Sequence, residues 1–118
     1  MLRLGFATAA LRQNENCRAH KVHFTNPGSQ SGDKLNSLIQ LMVFASQQGM
    51  LWVSLGLMPG NNNSKGSVDD LNRLGSFSGA MSQSNVDQGA DGMLESDLKT
   101  AAHLGRRVAE TALRYNRG

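Results

Sequence analysis

The stretch from Phe24 to Gly60 constrains the fold more than any other part of the chain. Val22-His23-Phe24 is a short strand candidate, and the loop Thr25-Asn26-Pro27-Gly28-Ser29-Gln30-Ser31-Gly32-Asp33 follows it. An amphipathic run then ends at Gly49. Next comes Leu51-Trp52-Val53-Ser54-Leu55, almost continuously apolar, as a strand covered on both faces should be. Strand, glycine-rich loop, helix and strand in that order predict one β-loop-α-β unit with parallel strands and a right-handed crossover. The loop falls at the carboxyl end of a strand, where open α/β sheets bind their ligands.

Within the predicted helix, Leu35, Leu38, Ile39, Met42, Ala45 and Ser46 recur at helical spacing, and Leu41, Val43 and Phe44 widen the apolar stripe. Ser31 or Asp33 is the expected amino-terminal cap, and Gly49 the left-handed residue that ends the helix. From Met58 to Met93, Pro59, the Asn61-Asn62-Asn63 run and a series of glycines predict a long, mostly irregular connection. Connections of this length are usually functional or disordered. Ser76 to Gln83 is a candidate for a short extra strand. The last helix starts at Ser96 or Asp97 as cap and carries Leu98, Ala101, Ala102, Gly105, Val108, Ala109 and Ala112 on one small-residue face. Lys99, His103, Arg106, Arg107, Glu110 and Arg114 are expected on the wet face.

The totals narrow the function classes. A chain of 118 residues makes one domain at most. Its net charge of +3 is spread along the sequence, and it has few aromatic residues, so nothing marks it as a nucleic-acid binder. No apolar run reaches the roughly 18 residues that span a bilayer. Cys17 stands alone and no internal disulfide can form, which fits a cytoplasmic, reducing compartment. His20 and His23 are three apart, which on a strand points them to opposite faces, and no metal site is assigned. The serines lie in loops and the carboxylates in the long connection, so no catalytic residue is assigned either. Residues 1–20 have no clear period and read as a poorly ordered or non-homologous leader.

The order of short motifs is more specific than any one of them. Phe24-Thr25-Asn26-x-Gly28-Ser29-Gln30-Ser31-Gly32-Asp33-Lys34 is followed by Gln48-Gly49-Met50-Leu51-Trp52-Val53, then by Asn72-Arg73-Leu74-Gly75-Ser76. Asp97-Leu98-Lys99-Thr100-Ala101 and Leu104-Gly105-Arg106-Arg107-Val108-Ala109-Glu110 complete the series. From about Lys21 to Tyr115 this pattern resembles the flavodoxin-like NAD(P)H:quinone oxidoreductases, the group that includes the tryptophan-repressor-binding protein.

The resemblance implies an α/β fold: a three-layer arrangement of parallel strands and flanking helices that binds FMN without a covalent bond. It makes Thr25, Asn26, Gly28, Ser29, Gln30 and Ser31 the flavin-facing loop, and it places Gln47 near the flavin, where the family often has histidine. It also implies NAD(P)H as electron donor and a quinone or similar small molecule as acceptor. Nothing in residues 1–20 matches the family's phosphate-binding loop, and its Pro-Thr-Arg-Phe-Gly type loop is absent, so this chain alone is expected to be impaired and to bind FMN poorly. Residues 21–118 are therefore expected to be the carboxyl-terminal half of such a domain, lacking the first three strands: fourth strand, helix, split fifth strand, last helix. In that arrangement the fourth strand exposes an edge, and the alternative reading is a non-catalytic module that pairs through this edge into a homo-oligomer.

Overall fold

The computed structural model describes residues 20, 21 and 23–115. The expected leader, with Cys17, falls almost wholly outside them. Strand β1 (His20–Lys21) pairs in parallel with β3 (Leu51–Trp52), His20 opposite Leu51 and Lys21 opposite Trp52. Strand β2 (Phe24–Thr25) pairs in parallel with β4 (Ala80–Met81), Phe24 opposite Ala80 and Thr25 opposite Met81. The partner of the first strand is thus split in two, with residues 53–79 between its halves. Helices α1 (Lys34–Gln47) and α2 (Glu95–Tyr115) flank this sheet. The result is a mixed α/β fold with parallel strands and flanking helices, consistent with a partial flavodoxin-like fold.

Trp52 joins the two ladders. Its indole stacks on the His23 ring with centroids 5.5 Å apart, and its Nε1 donates to the Ser78 carbonyl at 2.7 Å. One side chain of β3 thereby holds the segment that enters β4. Gly79 is needed at that entry, because a Cβ there meets the His23 carbonyl oxygen at 2.6 Å. The run expected as a strand through Leu55 leaves the ladder after Trp52. Val53 and Leu55 are still buried, but the Leu55 amide donates to Phe77 rather than to the first strand.

Gly49 ends α1 as expected. It is left-handed at φ 64°, its amide donates to Ser46 and the Met50 amide to Ala45, which satisfies the last carbonyls of the helix. The cap at the other end differs from expectation. Asp33 is itself left-handed at φ 49° and its side chain caps nothing, because an N-cap needs extended backbone to aim its oxygen at the helix amides. The buried face of α1 is also narrower than its sequence, comprising Lys34, Leu38 and Ala45. Leu35, Ile39 and Val43 remain 49%, 39% and 49% exposed. The sheet beneath is two strands wide among the described residues, enough to cover one row of the helix.

Helix α2 buries Thr100, Leu104, Val108 and Ala112, spaced by four; of the expected face Val108 and Ala112 are buried and Ala101 half-buried, whereas Leu98, Ala102, Gly105 and Ala109 are exposed. Leu104 packs with Leu55 and Ala80 in the core, and Phe24, Leu57 and Ala101 close around them. Counting apolar positions missed the start of this face because Ser96, Asp97 and Thr100 are polar. Ser96 and Asp97 point into the long connection instead of capping: Ser96 Oγ donates to the Val68 carbonyl at 2.7 Å. The Asp97 carboxylate accepts Nε and Nη2 of Arg73 at 2.8 and 2.6 Å, side by side. His103, expected in water, is half-buried, and its Nε2 is buried with no hydrogen-bond partner among the described residues.

The connection is irregular but built. Asn72, left-handed at φ 53°, is buried, and its amide nitrogen Nδ2 donates to the carbonyls of Leu57 and Ser76. Its Oδ1 accepts the Ser76 amide, and its own amide donates to Thr100 Oγ1 on α2 at 2.9 Å. Asparagine is among the few residues that take this backbone readily.

The Arg73–Asp97 pair is nearly dry, with side chains 12% and 2% exposed. Asp97→Asn is expected to cost about 3–5 kcal/mol in urea unfolding, since it strands a buried guanidinium. Replacing both partners, Arg73→Met with Asp97→Leu, should cost less than the single change. Leu104→Ala should cost about 2–5 kcal/mol by the same measurement, the range for a buried leucine that leaves a cavity.

Candidate functional site

The loop between β2 and α1 is held from two sides. On its first half, the Ser82 amide donates to the Thr25 carbonyl at 2.9 Å and Ser82 Oγ donates to Asn26 Oδ1 at 2.7 Å. Asn26 Nδ2 donates to Ser84 Oγ at 3.0 Å, and Gln83 Nε2 to the Gly28 carbonyl at 3.3 Å. Val86 lies against the Cα of Gly28, so even an alanine there collides. The segment that leaves β4 thus grips the segment that leaves β2, as parallel neighbours permit. Gln83 is itself fixed, because its amide donates to Asp97 Oδ2 at 3.2 Å.

The second half of the loop wraps around one cation. Lys34 opens α1 and is only 3% exposed. Its Nζ donates to the carbonyls of Ser29 at 3.0 Å, of Ser31 at 3.1 Å, and of Gln30. The turn that brings these three carbonyls to one point needs Gly32, left-handed at φ 54°, where a Cβ collides with the Pro27 ring and the Ser29 carbonyl. Burial holds the Lys34 pKa below the usual lysine value of 10.5, and the nearby Arg73 guanidinium lowers it further, while Asp97 pulls it back up.

Peptide geometry fixes what the loop shows outward. No described peptide bond is cis. In a trans peptide the carbonyl of one residue and the N–H of the next point in opposite directions. With the Ser29, Gln30 and Ser31 carbonyls on Lys34, the amides of Gln30, Ser31 and Gly32 face away from it. Among the described residues, the amides of Gly28 through Gly32 donate to no acceptor. The side chains of Ser29, Gln30 and Ser31 are exposed along the same rim. Thr25, at the end of β2, is 5% exposed and its Oγ1 has no hydrogen-bond partner among the described residues.

Beside the loop is a cavity of about 520 Å³. Gln30 and Ser31 line its polar side, and Leu35, Ile39, Leu74 and Met81 its apolar side. Ala80 faces the α2 core, so the next residue, Met81, turns to the α1 side, as alternate strand residues must.

Of the expected site residues, Thr25, Asn26, Gly28, Ser29, Gln30 and Ser31 lie in one segment at the carboxyl end of β2, buried at Thr25 and exposed from Ser29 to Ser31. Their roles divide: the Asn26 side chain is engaged in holding the loop, while the amides from Gly28 onward are uncommitted. Gln47 is not with them. It is the exposed last residue of α1, about 20 Å along the helix from Lys34 at 1.5 Å per residue. Sequence reasoning did not single out Lys34 or the Ser82-Gln83-Ser84 triplet as site residues. Ser82 and Gln83 fall within the strand candidate, whereas the strand ends at Met81 and the polar triplet forms a second loop at the same edge. Among the described residues no group of three metal-ligating side chains is found, and no helix is long and apolar enough to cross a membrane.

No family model and no solved structure matches the chain. One curated protein is similar to it: flavodoxin FldP of Pseudomonas aeruginosa (strain UCBPP-PA14), 46% identical over 86 residues. The aligned part takes in 73% of this chain and 46% of FldP, so the chain spans less than half the length of its relative. This likeness, over a parallel α/β fold with a donor-rich loop at the carboxyl end of a strand, supports a flavodoxin-like family for the chain.

Proposed function

We propose that the chain carries the ring-facing loop of a flavodoxin-like oxidoreductase that binds FMN and passes electrons from NAD(P)H to a quinone or similar small acceptor. The observation that carries this reading is the rim of uncommitted amides from Gly28 to Gly32. The pyrimidine edge of a flavin offers carbonyl and ring-nitrogen acceptors, and outward amides are their natural partners. The buried, unpartnered Thr25 Oγ1 adds a further group able to hydrogen-bond at the root of the loop. Similarity to a flavodoxin over most of the chain supports the same assignment.

When bound, FMN supplies the electron-accepting chemistry. The chain's part is to bind and orient the ring and to set the charge around it. Amides fixed in advance favour the negative charge that reduction brings to the ring edge, because they need no reorganisation at that moment. The loop is fixed at both ends, by Ser82 and Ser84 on Asn26 and by Lys34 on the Ser29–Ser31 carbonyls.

A second reading rests on a different observation. Among the described residues β1 and β2 each pair along one edge, and Leu35, Ile39 and Val43 leave α1 with an exposed apolar row. A non-catalytic module could use both to join a second copy through strand addition.

The loop addresses the ring and not the phosphate, which gives a sharp test. Titrations of the purified chain followed by flavin fluorescence should show FMN and riboflavin quenched with affinities within about threefold of each other. Absence of quenching with both, or a preference for FMN of more than about tenfold, contradicts the reading. With FMN present, NAD(P)H-dependent quinone reduction should exceed the rate of free FMN; equality removes the oxidoreductase assignment. Sedimentation between low and high micromolar concentration addresses the second reading. A dimer that Val43→Lys dissociates supports it, and a monomer throughout excludes it.

A further inference from the structure

Among the described residues Lys34 is a cation with no anion in contact. Its hydrogen bonds all go to backbone carbonyls of the loop before it, and its Nζ holds three of them. Burying an ammonium is costly unless its donors are satisfied, so a residue used only to start a helix has no reason to be 3% exposed. An alanine or glutamine begins a helix as well and leaves the loop free. What the ammonium does is collect the negative ends of three successive peptides on one side, which turns their positive ends to the other.

We propose that Lys34 is a positioning residue: by gathering the Ser29, Gln30 and Ser31 carbonyls it holds the amides of Gln30, Ser31 and Gly32 outward as ligand donors. The proposal rests on the flavin reading for the identity of the ligand, not for the arrangement of the loop. Without the ammonium, three carbonyls converge on one point with nothing between them. Their mutual repulsion then rotates the peptides, and the outward row of donors is lost. The charged groups facing Lys34 from the surrounding elements are Arg73 on the long connection and Asp97 on α2, themselves paired.

The arrangement also sets a pH dependence of definite sign. The folded chain releases the Lys34 proton below 10.5, where the unfolded chain still holds its own. Between the folded midpoint and 10.5 the unfolded state binds more protons, so stability rises with pH in that window. The urea midpoint of the wild type, measured against that of Lys34→Met, should therefore climb as pH rises towards 10.5. A flat difference means that Lys34 titrates as a solvent-exposed lysine and is not held as described.

The deciding experiment compares the wild type, Lys34→Met and Lys34→Arg at pH 7 by carbonyl-carbon NMR of the loop and by riboflavin titration. Lys34→Met should shift the Ser29, Gln30 and Ser31 carbonyl resonances, leave Leu104 to Ala112 in place, and weaken riboflavin binding at least tenfold. Lys34→Arg, which keeps charge and donors, should recover binding to within about threefold of the wild type. A folded Lys34→Met that binds riboflavin like the wild type, or whose three carbonyl resonances do not move, overturns the proposal. Should Lys34→Met fail to fold, the Arg variant and the wild-type carbonyl shifts through the Lys34 titration decide instead: shifts that follow it uphold the role, and static shifts refute it. If the wild type binds no riboflavin while Lys34→Met moves the carbonyls, the flavin reading falls and the loop arrangement stands.

Discussion

The structure depends on what surrounds the Asp97 carboxylate. A carboxylate left 2% exposed cannot stay without partners, and here it takes both arms of Arg73 and the amide of Gln83. These three contacts come from two segments, the long connection and the exit of β4, and tie both to the first turn of α2. One ionised group therefore sets where the connection lies on α2 and how the chain leaves the sheet. The exit of β4 in turn grips Asn26 and Gly28, so the front of the candidate site is two hydrogen bonds removed from this pair. Asn72 repeats the device one residue before Arg73, fastening the connection to Thr100 and to its own return.

The site shows a division of labour within one loop. Side chains of the neighbouring segment occupy its front carbonyls and the Asn26 amide, and a single lysine occupies its rear carbonyls. What remains for a ligand is chiefly main-chain N–H, with the exposed side chains of Ser29, Gln30 and Ser31 beside it. Recognition by main chain tolerates change in side chains, provided that the glycine at position 32 keeps the turn and the residue at 34 keeps the charge. The Gly32–Asp33 pair, both left-handed, delivers Lys34 to the point where three carbonyls meet.

Much of this was legible in advance, for reasons specific to each element. The β-loop-α-β order and the parallel pairing followed from alternating turn and apolar segments, and the split partner strand from the resemblance. Gly49 could be placed because few other residues end a helix in that way. The buried face of α2 could be read in its second half, at Val108 and Ala112, but not at Asp97 and Thr100, because a polar residue gives no sign that its partner lies in a distant connection. The same holds for α1. Its sequence offers a wide apolar stripe, but burial is decided by the width of the sheet beneath, which no helix records. Lys34 gave no signal of its own, because a cation satisfied by backbone carbonyls is not marked by a complementary acid at helical spacing. Gln47 was drawn towards the loop by resemblance alone, and the length of α1 separates them.

Trp52 has a consequence of its own. It is the chain's only tryptophan, and it spans the junction of the two ladders, stacked on His23 and bonded to Ser78. Its emission thus arises from a single locus that exists when both halves of the divided strand are in register. The molecule carries a native optical label at its seam, where colour and intensity distinguish a closed sheet from one whose halves have come apart.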